Sequence, residues 1–148
     1  YFYSGSHDYA DRGGLVYAIG GVRLRAAYER LSYEPAPGQS VRRDAWQAAA
    51  TYNRGPHTFR ASYTQGGNAH GNTVQAVGGI GLPGTDSGAW QVSLGYGYTL
   101  SKRTELWAAY TRLVNHATAS YNLSANSVPG LKAGDAVSGF GLGITHNF

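Results

Sequence analysis

The chain has 148 residues, with 22 glycines, 12 tyrosines and neither cysteine nor methionine, which bounds it to one domain or a piece of one. Without cysteine there is no disulfide framework and no thiolate metal centre. The net charge of +4 comes with arginines dispersed along the chain, and without a basic stripe it argues against nucleic-acid binding. No run of roughly 18 apolar residues is present, so no transmembrane helix is predicted.

In chain order, Tyr1–Tyr3 is a candidate strand stub, and the polar, glycine-rich stretch Ser4–Gly14 reads as a loop. Leu15, Tyr17 and Ile19 form a short predicted strand that ends at Gly20-Gly21. Beyond that turn, Val22, Leu24, Ala26 and Tyr28 alternate with Arg23, Arg25, Ala27 and Glu29. After a loop over Glu34–Arg43, Trp46, Ala48, Ala50 and Tyr52 alternate with Gln47, Ala49 and Thr51. The turn Asn53-Arg-Gly-Pro56 leads to Phe59, Ala61 and Tyr63, which alternate with Arg60, Ser62 and Thr64. Gly66–Ser87 reads as a flexible outer loop, with Thr73–Val77 as a candidate short strand inside it.

The pattern then sharpens. Trp90, Val92, Leu94, Tyr96, Tyr98 and Leu100 alternate without a break with Gln91, Ser93, Gly95, Gly97 and Thr99. This is period two, the signature of a strand with one apolar face, and no helical period fits it. After the turn Ser101-Lys-Arg103, segment Thr104–Asn115 is ambiguous: Leu106, Ala108 and Tyr110 share one face, while Trp107 and Leu113 share the other. The short turn from Leu100 favours the first set as the apolar face. His116–Gly134 is a long polar connection. In the last segment Phe140, Leu142, Ile144, His146 and Phe148 alternate with Gly139, Gly141, Gly143, Thr145 and Asn147.

Short turns and long loops thus alternate, as in an antiparallel up-and-down barrel that places short turns on the periplasmic side of a bacterial outer membrane. Aromatics near both ends of the apolar stripe match interfacial girdles; Trp46, Tyr52, Phe59, Tyr63, Trp90, Tyr98 and Tyr110 are the candidates. A tilted strand from Trp90 to Tyr98 spans on the order of 20–25 Å, about the height of the apolar band. A soluble barrel shares the rhythm but turns its apolar face inward. The expected fold class is therefore all-β, a transmembrane barrel with seven full strands here. Because bacterial barrels have an even number of strands and close, either Tyr1–His7 supplies an eighth, or the chain is a piece of a larger barrel.

Arg23, Arg25 and Arg60 fall on the face opposite the apolar one and are expected to line a lumen, where basic side chains favour anions. Glu29 and Glu105 are expected on the same wall, pairing with these arginines. Arg112 has apolar parity and is expected beyond the outer interface, near the headgroups. None of His7, His57, His70, His116 and His146 has ligand spacing to another, so neither a metal nor a cofactor is expected, and His146 reads as an interfacial anchor. No Ser/His/Asp grouping can be tied together on neighbouring lumen positions, so no enzyme is expected.

Tyr98-Thr-Leu-Ser-Lys-Arg-Thr-Glu-Leu-Trp-Ala-Ala-Tyr-Thr-Arg-Leu113 resembles the penultimate hairpin of Gram-negative general porins of the β-proteobacterial type. Ala26-Ala-Tyr-Glu-Arg-Leu31 and Arg54-Gly-Pro-His-Thr58 resemble earlier strands and turns of that family, and Gly141-Leu-Gly-Ile-Thr-His-Asn-Phe148 resembles its closing strand. The resemblance implies that residues 1–148 are the C-terminal part of one sixteen-stranded barrel domain. It implies a homotrimer when full length, a multi-pass place in the outer membrane, and passive diffusion of small hydrophilic solutes and ions. It also implies contact with the bilayer and lipopolysaccharide, and recognition of Phe140, Leu142, Ile144, His146 and Phe148 by the outer-membrane assembly machinery. The alternative is a small closed barrel of eight strands with a structural or adhesive role, in which residues 1–10 would pair with the last strand.

Overall fold

The computed structural model describes residues 6–124 and 127–148, and all regular structure among them is β-strand. The strands are β1 (Tyr9–Ile19), β2 (Val22–Tyr33), β3 (Val41–Arg54), β4 (His57–Gly66), β5 (His70–Gly71), β6 (Ala89–Ser101), β7 (Thr104–Asn115) and β8 (Ala136–His146). They form one antiparallel sheet in the order β1-β2-β3-β4-β6-β7-β8, with the two-residue β5 added beside the start of β3. Among the described residues, the outer edges of β1 and β8 carry no partner strand.

The connections explain the order. Gly20-Gly21, Gly55-Pro56 and Lys102-Arg103 close tight turns at one end of the sheet. Gly20 (φ 54°) and Gly55 (φ 58°) adopt left-handed backbone there, which a residue with a Cβ takes only under strain. Long loops join the strands at the other end. A strand that turns back tightly can pair only with its predecessor, so every long strand pairs with its neighbours along the chain.

Two sequence expectations need correction. The first strand is not limited to Leu15–Ile19: β1 begins at Tyr9, and Tyr9, Asp11 and Gly13 stand opposite Ser32, Arg30 and Tyr28. The polar Asp11-Arg-Gly-Gly14 run has weak strand propensity, and the ladder with β2 overrides it. The added strand in the long loop is His70–Gly71, not Thr73–Val77, because His70 and Gly71 reach Arg42 and Val41 on the overhanging start of β3. The proposed stub Tyr1–Tyr3 lies outside the described residues.

Register sorts the side chains onto two faces, since residues paired across an antiparallel ladder point the same way. One row runs Leu24, Ala50, Ala61, Leu94, Tyr110, Phe140 across six strands. The adjacent row, on the opposite face, runs Arg23, Thr51, Arg60, Gly95, Ala109, Gly141. The apolar face is open: Leu94 is 53% exposed, Ile144 62% and Leu142 70%. A contiguous greasy surface on this scale is foreign to a protein surrounded by water.

Burial occurs elsewhere. Val41, Ala69, Val77 and Ile80 form a small core with Leu31 and Tyr33 packed against it. By alternation Leu31, Tyr33 and Val41 belong to the polar-face parity, so loop 67–88 folds over that face at the loop end of the sheet. Val77 and Ile80 exchange N–H···O bonds of 3.1 and 2.8 Å, and a Cβ on the intervening Gly78 would lie 2.6 Å from the Tyr33 ring. This segment is a packed unit and not the flexible loop its glycines suggest. Loop 116–135 is tied to it: the Thr118 N–H donates to the Asp86 carbonyl (3.1 Å) and the Gly81 N–H donates to the Tyr121 hydroxyl (3.3 Å).

Candidate functional site

The polar face carries the charge. Arg23 and Arg25 stand two residues apart on β2, with Ala18 and Thr51 flanking the first and Val16 and Ala49 flanking the second. Neither is within ion-pair distance of a carboxylate among the described residues. Arg60 differs: its Nη2 donates to Glu105 Oε1 at 2.9 Å, across two ladders. The pair lies over Gly97, where any Cβ would collide with the Glu105 carboxylate. Gly97 is thus the gap that lets the two long side chains lie flat against the wall.

Glu29 does not pair with Arg23, Arg25 or Arg60. It accepts from Arg12, whose Nε donates to Oε2 at 2.7 Å. Arg12 is the direct cross-strand neighbour of Glu29, whereas Arg25 sits on the same strand as Glu29. Sequence reasoning missed Arg12 because it treated residues 4–14 as loop. Alternation extended back from Leu15 would have put Arg12 on the charged face.

The aromatic residues of the other face gather into two groups. Near the loop end, Trp46 and Tyr63 have ring centroids 5.1 Å apart, and Tyr63 stacks on Trp90 at 6.2 Å. Near the turn end, Phe59 lies 6.3 Å from Tyr52 and 5.4 Å from Tyr96, while His57 meets Tyr98 edge-on at 5.2 Å. His57 and Tyr96 were not among the girdle candidates. Tyr110 joins neither group; its hydroxyl is 3.2 Å from Ser138 Oγ. Above the first group, Arg30 grips Asp44 with two hydrogen bonds of 2.7 and 3.1 Å, and the Tyr28 hydroxyl donates to the same carboxylate at 2.8 Å. These charges have apolar-face parity but sit at the loop end of the strands, where Arg112 also lies.

On β8, Phe140, Leu142 and Ile144 share the apolar face with Tyr110, Ala108 and Leu106 of β7. His146 is held at 2.8 Å from Thr104 Oγ1 and meets the Phe148 ring edge-on at 4.8 Å. Trp107 is on the polar face, opposite Gly97 and Gly143, and its indole lies against the β8 backbone. Among the described residues, no cluster of three or more His, Asp or Glu side chains is close enough to hold a metal ion.

Comparison with known proteins follows the same lines. A family model described as Gram-negative porin matches residues 2–118. Outer membrane porin protein 32 of Delftia acidovorans is 28% identical over 170 residues, an alignment covering 99% of this chain and 46% of that protein. Among solved structures, the anion-selective porin from Comamonas acidovorans superposes with a TM-score of 0.78 at 23% identity, covering 97% of this chain and 40% of that one. OmpT, an outer membrane protein of Vibrio cholerae, superposes with a TM-score of 0.70 at 20% identity, covering 95% and 41%. At these identities the two structures establish the fold alone, that of part of an antiparallel outer-membrane β-barrel. The chain spans less than half the length of these relatives.

Proposed function

This chain belongs to the Gram-negative porin family, proteins of the outer membrane that cross it with many strands, and we propose that it supplies part of the wall of a water-filled channel for small hydrophilic solutes and ions. The observation that carries this reading is the division of one sheet into a greasy face and a face bearing Arg12, Arg23, Arg25 and Arg60. The greasy face meets lipid and the arginines meet water in the lumen. No catalytic step is involved; passage is diffusion, governed by bore and lining charge.

We read residues 1–148 as the C-terminal part of one barrel domain; that they are a part of it is supported by the 46% and 40% shares of the relatives that the chain covers. The channel mildly prefers anions. Arg23 and Arg25 supply most of the positive potential, because Glu105 offsets Arg60 and Glu29 offsets Arg12. The anion-selective porin from Comamonas acidovorans supports that preference. The two aromatic groups are the girdles at the outer and periplasmic interfaces, and lipopolysaccharide meets the outer one. The full-length protein is a trimer to which β8 contributes contacts. Phe140, Leu142, Ile144, His146 and Phe148 form the mark read by the assembly machinery.

The test is a planar-bilayer recording of the full-length protein with Arg23, Arg25 and Arg60 all changed to glutamine. The reversal potential in a salt gradient moves toward the cation value. An unmoved potential overturns the lining assignment.

A further inference from the structure

The lumen wall built by β6, β7 and β8 is bare in its middle. Around Trp107 the lumen-facing positions are Gly95, Gly97, Ala109, Gly141 and Gly143. Thr99 and Thr145, on either side of Glu105, add short side chains toward the turn end, and Trp107 and the Arg60–Glu105 pair are the large side chains that stand on the wall here. The bareness seats the indole: a Cβ on Gly141 would lie 3.3 Å from ring atom Cζ3, and one on Gly143 would run into the ring itself. One face of the indole is therefore pressed on the β8 backbone, the other faces the lumen, and Trp107 stays 36% exposed. Its Nε1–H donates to no protein acceptor among the described residues. Beside it, over the directly opposing Gly97, lies the ion pair, with Arg60 Nη2 and Glu105 Oε1 2.9 Å apart.

Resting on the channel reading, the geometry points to a saccharide subsite on this wall, with Trp107 as the stacking platform and Arg60 and Glu105 as the polar rim. A pyranose ring has an apolar C–H face and a girdle of hydroxyls. The indole offers the complementary flat surface, and the neighbouring pair offers donors and acceptors within about 5 Å, the spacing of adjacent strands. A neutral sugar uses both charges of the rim, whereas the carboxylate of an aromatic acid finds Arg60 already neutralised by Glu105. Binding is brief, because one stacked face and a few water-exposed hydrogen bonds hold the solute loosely enough for it to move on.

The experiment uses the full-length porin in planar bilayers, with maltose, sorbitol and phenol added in turn. Salt conductance is recorded first for every variant. Maltose is expected to block current at a concentration about tenfold below that of sorbitol, the difference one stacking contact supplies. Trp107→Leu removes the difference while keeping apolar bulk, Trp107→Phe retains most of it, and Glu105→Gln weakens maltose block about threefold. Equal block by maltose and sorbitol, or a Trp107→Leu channel that still discriminates, overturns the subsite and leaves the channel reading intact. Block by phenol but not by maltose overturns the sugar assignment. Absence of salt conductance in the unmodified protein overturns the channel reading and the subsite with it.

Discussion

The sheet and the loop end handle apolar side chains in opposite ways. On the sheet, Leu24, Leu94, Leu142 and Ile144 are left uncovered, and their surroundings must be the apolar partner. At the loop end, Val41 and Ile80 are at 0% and 1% exposure, gathered from residues far apart in the chain. The first arrangement suits lipid, where nothing is gained by hiding a leucine from its neighbours. The second suits water, where the loop must collapse on itself to remove apolar area. The boundary between the two regimes runs near Trp46, Tyr63 and Trp90, and the Arg30–Asp44 pair marks its watery side.

This contrast is open to attack at several points. The largest effect is expected from Leu94→Arg, which places a charge on the lipid face in mid-strand and destabilises the barrel by about 3 kcal/mol. Gln91→Lys, on the opposite face of the same strand, changes stability by less than about 0.5 kcal/mol. Urea titrations of the full-length protein in lipid vesicles compare the two; equal losses would remove the distinction between the faces. Next, Ile80→Ala leaves a cavity in the loop core and weakens loop docking by about 2 kcal/mol, at the low end for such truncations because the core is small. Hydrogen exchange should rise in residues 67–88 while β6 stays protected; acceleration in both would make the loop core part of the barrel's own stability.

A smaller effect is expected at Asn115, which is 4% exposed and holds Tyr121 by two bonds, its Nδ2 donating to the Tyr121 carbonyl at 2.9 Å and its Oδ1 accepting from the Tyr121 N–H at 2.8 Å. Asn115→Ala strands those backbone groups at a cost of about 1–2 kcal/mol and exposes loop 116–135 to proteases. Smallest in stability is Glu105→Gln, because a partly exposed pair contributes about 0–1 kcal/mol. Its electrical effect is larger: unmasking Arg60 should move the reversal potential further toward anions, opposite in sign to the arginine replacements.

The sheet was legible because its information is local. Alternation in Trp90–Thr99 assigns every residue to a face before any contact is known, and register preserves that assignment across the ladders with β4 and β7 up to the irregularity between Thr99 and Ser101. Arg60 and Glu105 could be put on one wall from parity alone, but their meeting depended on Gly97, an absence of side chain that a pattern of apolar residues does not register. The same holds for Trp107, whose seat consists of two glycines on the next strand. The loop core was illegible for another reason. Val41, Ala69, Val77 and Ile80 follow no period, and only the return of loop 67–88 over the start of β3 makes neighbours of them. Asp11-Arg-Gly-Gly14 was misread because its strand state comes from Glu29 and its neighbours opposite, and not from its own composition.

The neighbour-only pairing of the strands bears on how the chain acquires its shape over time. Each ladder closes a contact between segments separated by a turn of two residues or by one loop, so the chain entropy lost grows only slowly from the short turns to the long loops, by about 2 kcal/mol. Such a meander can grow hairpin by hairpin, each new strand covering the exposed amides of the last before the next arrives. Low sequence separation favours rapid formation. On the proposed reading the exception is the open flank of β8, which closes the larger barrel on a strand remote in sequence, and this is the step on which the rate of assembly should depend.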